Sequence, residues 1–172
     1  MDYTFSYNSP LGTITLASDG NALIGLWFDG QKYFAETLSA EHREMRLPIF
    51  AQTVEWLDQY FSGKVPVFTP ALNLQTTPFR KDVWEFLLTI PYGQTISYGE
   101  LAERLAAQRG MTAGSARAVG GAVGHNPISL IIPCHRVVGA DGRLTGYAGG
   151  IDRKRKLLEL EGTERKNRST SL

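Results

Sequence analysis

Three prolines, Pro66, Pro70 and Pro78, fall within residues 64–78 and divide the chain. Proline lacks the N–H that a helix interior or a central strand requires. Residues 64–77 therefore read as an extended connector, and the chain must build separate structure on each side of it. At 172 residues, 42% hydrophobic and 20% charged, it can form one globular domain or two small ones sharing an interface. The expected division is an N-terminal α/β structural domain with its connector over residues 1–77, a second domain over 78–162, and a polar tail over 163–172.

Before the connector, residues 3–7, 13–18 and 22–28 alternate or cluster β-formers, with turn signals at Asn8-Ser9-Pro10-Leu11-Gly12 and Asp19-Gly20. That pattern predicts a small antiparallel meander ending at Asp29-Gly30. Phe50, Val54, Leu57 and Phe61 then recur at helical spacing, so 47–61 reads as an amphipathic helix stopped by Gly63. Nothing in this half resembles a site, and His42 reads as a surface residue.

After the connector, Thr77-Pro78 supplies an N-cap and a first-turn proline. Phe79, Val83, Phe86, Leu87 and Ile90 form the buried stripe of that helix, which Pro91-Tyr92-Gly93 stops. Ser97-Tyr98-Gly99-Glu100 has the form of a capping box opening a helix through Leu101, Ala102 and Leu105. A turn over 108–113 and a second short helix over 114–124 complete a helix-turn-helix pattern. In that second helix Gly120, Gly121 and Gly124 each cost about 1 kcal/mol of helix stability relative to alanine. Val119 and Val123 can pack inward, leaving Ala118, Gly121, Ala122 and one long side chain, Arg117. Base reading in the major groove calls for Arg, Asn or Gln. A smooth face with a single arginine suits close approach to a backbone or a minor groove, or else tight internal packing.

The chain has one cysteine, Cys134. It lies within the apolar β-branched run of 128–138, which reads as a buried strand whose ladder Pro133 interrupts just before the cysteine. His135 and Arg136 come next, and cationic surroundings favour thiolate, the nucleophilic form of cysteine. A lone cysteine in an apolar run is more commonly core filler. One cysteine excludes an internal disulfide and a cysteine-based zinc cluster. The glycine-rich segment 145–150 lacks the spacing of a nucleotide cradle. Asp152 reads as the cap of a last helix carrying Arg153-Lys154-Arg155-Lys156.

No apolar stretch approaches the ~20 residues of a membrane span, and the N-terminus lacks the basic start of a signal peptide. The expectation is a cytoplasmic protein. Residues 1–77 carry 4 Lys and Arg against 8 Asp and Glu, residues 78–172 carry 14 against 9. A basic second half suits a polyanionic partner or is simply an uneven solvated surface.

Pro133-Cys134-His135-Arg136-Val137, the helix-turn-helix with Arg117, Asn126-Pro127 and the loop around Tyr147 together resemble the O6-alkylguanine-DNA alkyltransferases. The resemblance covers residues 78–162. It implies a small ribonuclease H-like antiparallel sheet with a helix, joined to a mainly helical DNA-binding and alkyl-acceptor domain. It also implies irreversible, single-turnover transfer of an alkyl group from O6-alkylguanine, and from O4-alkylthymine, in double-stranded DNA bound through its minor groove. Cys134 would accept the alkyl group, His135 would act as its base through a water, and Glu161 would orient the imidazole. Asn126 would be the hinge to the DNA-binding helix. Arg117 would replace the extruded nucleotide, with Ala118, Gly121 and Ala122 beside it on the DNA face. Tyr98 would press on a phosphate and donate to the leaving guanine. Tyr147, the Ala148 N–H and the carbonyls of Cys134 and Val137 would shape the pocket. No cofactor and no metal are implied, and the protein would act as a monomer. Three other readings compete: a non-catalytic alkylated-DNA-binding module, which lacks a use for Cys134; a transcription regulator, which the scarcity of base-reading side chains disfavours; and a cysteine hydrolase, which a sequence-adjacent histidine does not by itself make.

Overall fold

Alternation in the first thirty residues becomes three strands: β1 (Asp2–Ser9), β2 (Gly12–Ser18) and β3 (Leu23–Phe28). They form an antiparallel meander in register Tyr3↔Ser18 and Ile14↔Phe28. The computed structural model describes residues 1–111 and 114–162. Within these the chain divides into two compact units, 1–74 with 127–131, and 75–126 with the remainder from 132.

In the first unit the turn between β2 and β3 is held by Asp19, whose Oδ1 accepts from the N–H of Asn21 at 2.9 Å and of Ala22 at 3.0 Å. A fourth strand, β4 (His42–Glu44), lies parallel to β1 and makes the sheet order β3-β2-β1-β4. Its three residues are exposed and polar, so no hydrophobic period announces it. His42 is on the surface. At the other edge, single-residue bridges from Leu72 and Ile128 cover β3. Leu26 donates to Pro127 O at 2.8 Å and accepts from Ser129 N at 3.0 Å, leaving little of that edge unpaired. Gly25 gives the Trp27 indole its place: a Cβ there would sit 2.0 Å from the ring. Helix α1 (Pro48–Phe61) buries Phe50, Thr53, Trp56, Leu57 and Tyr60, with Phe50 stacked on Phe5. This face is rotated from the expected one, since Val54 and Phe61 are only half-buried.

The second unit holds α2 (Pro78–Leu87), α3 (Tyr98–Gln108), α4 (Ala116–Gly124) and α5 (Ile151–Leu160), with a two-stranded parallel pair β5 (Ile96–Ser97) and β6 (Val137–Val138). Thr77 caps α2 by accepting from Arg80 N. Trp84, absent from the expected stripe, is buried and its Nε1 donates to Ala122 O at 2.8 Å. Ser97 caps α3 through Glu100 N at 3.1 Å, while the Glu100 carboxylate pairs with Arg104 instead of completing the box. Ser115 caps α4 through Ala118 N. Gly114, just before it, allows the close approach of α3, since a Cβ would sit 2.1 Å from Ala102 O. Of the expected turn over 108–113, residues 112 and 113 lie outside the described residues, as does the expected tail over 163–172.

Two expectations are corrected here. Residues 128–138 are not a continuous strand: Ile128 makes one bridge, Leu130 takes a left-handed φ of 71°, Cys134–Arg136 wind into a 3₁₀ turn, and only Val137–Val138 are extended in a pair. Asp152 does not cap α5. Gly150, at φ 95°, occupies that position, and Asp152 pairs with Arg155 at 3.2 Å.

Candidate functional site

Cys134 sits where the end of α4 and the 3₁₀ turn are tied together. Asn126, 4% exposed, follows α4 and donates from Nδ2 to Ile132 O at 2.7 Å. This bond closes the excursion 127–131 and brings the Asn126 amide into hydrogen-bond contact with the Cys134 thiol. Cys134 itself is 5% exposed. Burial pushes its thiol pKa up, and that outweighs the hydrogen bonds from Asn126 and the backbone and the charge of Lys154, which pull it down. The resting residue is a thiol rather than the thiolate that its cationic neighbours suggested, so a base is needed to ionise it.

His135, the next residue, is fully buried. Its Nε2 lies 2.5 Å from Glu161 Oε2. Glu161, at the C-terminal end of α5, also accepts from Arg136 Nε at 2.8 Å, Arg136 Nη2 at 3.2 Å and Gly93 N at 3.2 Å. Burial alone would raise the Glu161 pKa, but hydrogen bonds and charges from His135 and Arg136 outweigh it and hold the carboxyl well below the usual range. An ionised carboxylate can only accept, so Nε2 carries the ring proton and Nδ1 is left as the basic nitrogen. Burial lowers the His135 pKa, Glu161 raises it, and Arg136 and Lys154 lower it further. The ring is thus neutral at ordinary pH, the protonation state a general base needs.

On another side of Cys134 stands Lys154, one of the four basic residues that the sequence places on the last helix. It is fully buried. Its Nζ donates to Val137 O at 2.6 Å, Thr145 O at 2.9 Å and Gly146 O at 3.2 Å. Three acceptors match the three N–H groups of an ammonium. Burial lowers its pKa to about 8 and the Cys134 charge raises it, so the amine is cationic at neutral pH. The sequence did carry a signal, because Lys154 falls on the helical stripe of Ile151, Leu157 and Leu158. The same amine pins the glycine-rich loop to β6. Tyr98, first residue of α3, reaches Gly146 O at 3.4 Å, and the Lys154 Nζ lies 5.8 Å from the Tyr98 ring centre.

The structure therefore holds these residues in three bonded groups around one turn: Asn126 with Cys134, His135 with Glu161 and Arg136, and Lys154 with Val137 and the Gly146 carbonyl that Tyr98 also reaches. Tyr147 and Ala148 are half-buried in the loop beside it. The Val137 carbonyl is engaged by Lys154, with one lone pair remaining for another donor. Arg117, Ala118 and Gly121 are on the exposed face of α4. Ala122 is not: it is 3% exposed and turned inward under Trp84, a correction to its placement on the smooth face. A Cβ at Gly121 would meet nothing within 4 Å, so packing inside the protein does not require glycine there. Chemically, the network is a protected thiol with a base, an orienter for that base, and a fixed cation, an arrangement suited to nucleophilic attack by sulfur.

Comparison with known proteins gives concordant results. Residues 78–163 match the family described as 6-O-methylguanine DNA methyltransferase, DNA binding domain, and residues 3–75 match its ribonuclease-like domain. The methylated-DNA–protein-cysteine methyltransferase of Mycobacterium bovis is 49% identical over 154 residues, 90% of this chain and 88% of the relative. The protein of the same name from Mycobacterium leprae is 47% identical over 159 residues, 91% of this chain and 90% of the relative. The crystal structure of Mycobacterium tuberculosis OGT in complex with DNA superposes with a TM-score of 0.82 at 46% identity, covering 95% of this chain and 94% of that one.

Proposed function

The chain belongs to the 6-O-methylguanine DNA methyltransferase family, and on that premise we propose that it repairs DNA by moving the alkyl group of O6-alkylguanine onto its own Cys134. The observation that carries this reading is the buried thiol of Cys134, next in sequence to a histidine held by Glu161 and tied through Asn126 to the end of α4.

A base stacked in a duplex shields its O6 substituent, so the damaged nucleotide must swing out, at a cost of a few kcal/mol. The exposed face of α4, with Arg117, Ala118 and Gly121, is small enough for a DNA backbone to approach closely from the minor groove. Arg117 then fills the gap left in the stack. His135, through a water, takes the proton of Cys134 while the electron pair stays on sulfur. Thiolate attacks the alkyl carbon as the carbon–oxygen bond breaks, and that bond's electron pair leaves on guanine O6. Tyr98 and the Ala148 N–H donate to the leaving base, where negative charge develops. Tyr147 walls the pocket, and the second lone pair of the Val137 carbonyl accepts from the guanine amino group. Lys154 supplies the counter-charge that the passing thiolate needs. The thioether has no route back, so each molecule reacts once. O4-alkylthymine is a second substrate of the same site. The protein works as a monomer in the cytoplasm and needs no metal or cofactor.

The test is a single-turnover assay with a duplex labelled on the methyl of O6-methylguanine. The native protein should take up one label per molecule and Cys134→Ala none. Label on the alanine variant, or release of more than one equivalent of product, would sink the reading. DNA binding without transfer by the native protein would instead favour a non-catalytic module.

A further inference from the structure

Arg136 is the buried charge that the repair chemistry above leaves without a task. It lies 8% exposed, and all three of its nitrogens are committed: Nε and Nη2 to the two oxygens of Glu161, and Nη1 to Ile90 O at 2.7 Å. The guanidinium also lies 5.7 Å from the Tyr92 ring centre, and Tyr92 OH donates to Leu160 O at 3.3 Å. One bend, Ile90-Pro91-Tyr92-Gly93, thus holds the arginine from one side and reaches the carboxylate directly through Gly93 N.

We propose that Arg136 is a positioning residue for alkyl transfer: its fork fixes the Glu161 carboxylate as a permanent acceptor, which locks the His135 proton on Nε2 and leaves Nδ1 to receive the proton of Cys134. The proposal rests on the reading of Cys134 as alkyl acceptor. A histidine facing a lone carboxylate can share one proton between nitrogen and oxygen, and then neither tautomer nor ring angle is fixed. A bidentate guanidinium removes that freedom, because it occupies both oxygens in the carboxylate plane and opposes protonation of either. A lysine would supply the charge without the fork. Stability gives little reason to keep the pair, since buried ion pairs are often replaceable by apolar residues without loss.

The charged groups acting on His135 are Lys154 from α5, Glu161 at its C-terminal cap, and Arg136 from its own turn, with the titratable Cys134 adjacent in sequence. Burial lowers the His135 pKa from its ordinary 6.5, Glu161 raises it, and Arg136 and Lys154 lower it further. With Arg136 gone, both imidazole and carboxyl hold protons to higher pH. The base must be neutral to accept, so transfer falls as pH drops through the His135 pKa, and the variant loses rate at higher pH than the native protein does.

The experiment measures single-turnover methyl transfer from an O6-methylguanine duplex across pH for the native protein, Arg136→Met and Arg136→Lys. It is joined to nitrogen NMR of the His135 ring in the native protein. Arg136→Met should be slower near neutrality by about 10- to 100-fold, with its acid limb displaced upward by about one pH unit. Arg136→Lys should keep the native acid limb while recovering only part of the rate. The ring should carry its proton on Nε2. A methionine variant with the native limb, or a native ring protonated on Nδ1, overturns the proposal. If the methionine variant does not fold, the lysine variant and the ring spectrum decide. A lysine variant with full rate assigns the effect to charge alone and rejects the fork. A native protein that transfers no methyl refutes the repair reading itself, and the ring spectrum still reports on the positioning.

Discussion

The two units bury polar groups of different kinds among the described residues. In the strand-rich unit they are Thr4, Ser18, Gln31, Thr53 and Ser129; in the helical unit they are Asn126, His135, Arg136, Lys154 and Glu161. The first set is neutral, and Ser18, Thr53 and Gln31 bond to neighbouring backbone. Ser18 Oγ donates to Ala22 O at 2.6 Å, Thr53 Oγ1 to Ile49 O at 2.7 Å, and Gln31 Oε1 accepts from Phe28 N at 2.9 Å. Such bonds close turns or reach one helical turn back, and each contributes about 1 kcal/mol net. The second set is mostly ionisable and bonds across long stretches of chain, from residue 136 to 161 and from 154 to 137. Burying charge costs several kcal/mol per ion before any pairing. Where a chain tolerates that cost in one unit and avoids it in the other, the difference marks the place where charge is used chemically.

Substitutions can sharpen or break this contrast. Leu57→Ala, in the apolar core of α1 where Leu57 is fully buried, should lower unfolding stability by about 4 kcal/mol. Methyl transfer by the folded protein, and its pH profile, should stay as in the native chain. A displaced pH profile would show that the two units are not separable in this way. The charged unit should respond to pH instead. Lys154 has a folded pKa of about 8 against an ordinary 10.5, so between those values the unfolded chain binds more protons. Native stability should then rise with pH over that window relative to Lys154→Met, by on the order of 3 kcal/mol. Urea denaturation of both proteins at pH 7.5 and 10.5 measures it, and parallel curves would mean the amine is not buried as a cation. The smallest effect belongs to a neutral bond inside the charged unit. Ser115→Ala removes the cap of α4 and should cost ~1 kcal/mol, read by thermal unfolding, with Cys134 chemistry unchanged on undamaged thiol reagents.

Much of the first unit was legible because its signals are local. Asp19-Gly20 and alternating β-formers specify a hairpin wherever they occur. The buried face of α1 is turned from the Phe50-Val54-Leu57-Phe61 stripe because Trp56 and Tyr60, stacked at 5.3 Å between ring centres, take the core positions. Strand β4 was invisible, since exposed polar residues carry no period. In the second unit, Cys134 and His135 stood out by type and adjacency. The path around them did not, because a run of β-branched residues says strand until one residue, Leu130, takes φ 71°. The burial of Lys154 and Arg136 was hard to read for a common reason, that a basic side chain is ordinarily solvated: the apolar stripe of α5 hints at it for Lys154, while for Arg136 it rests on contacts far away in sequence. The family resemblance had placed Glu161; the partnership with Arg136 needed the coordinates.

Residues 127–131 pair with Leu26 of β3 yet lie in sequence between Asn126 and Ile132. Covalent order and structural membership therefore part company at that point. Severing the gene at the proline connector would not release two self-sufficient halves. The leading fragment would carry a raw sheet margin at Leu26, an invitation to intermolecular strand pairing, while the trailing one would keep residues 127–131 as a short orphan loop.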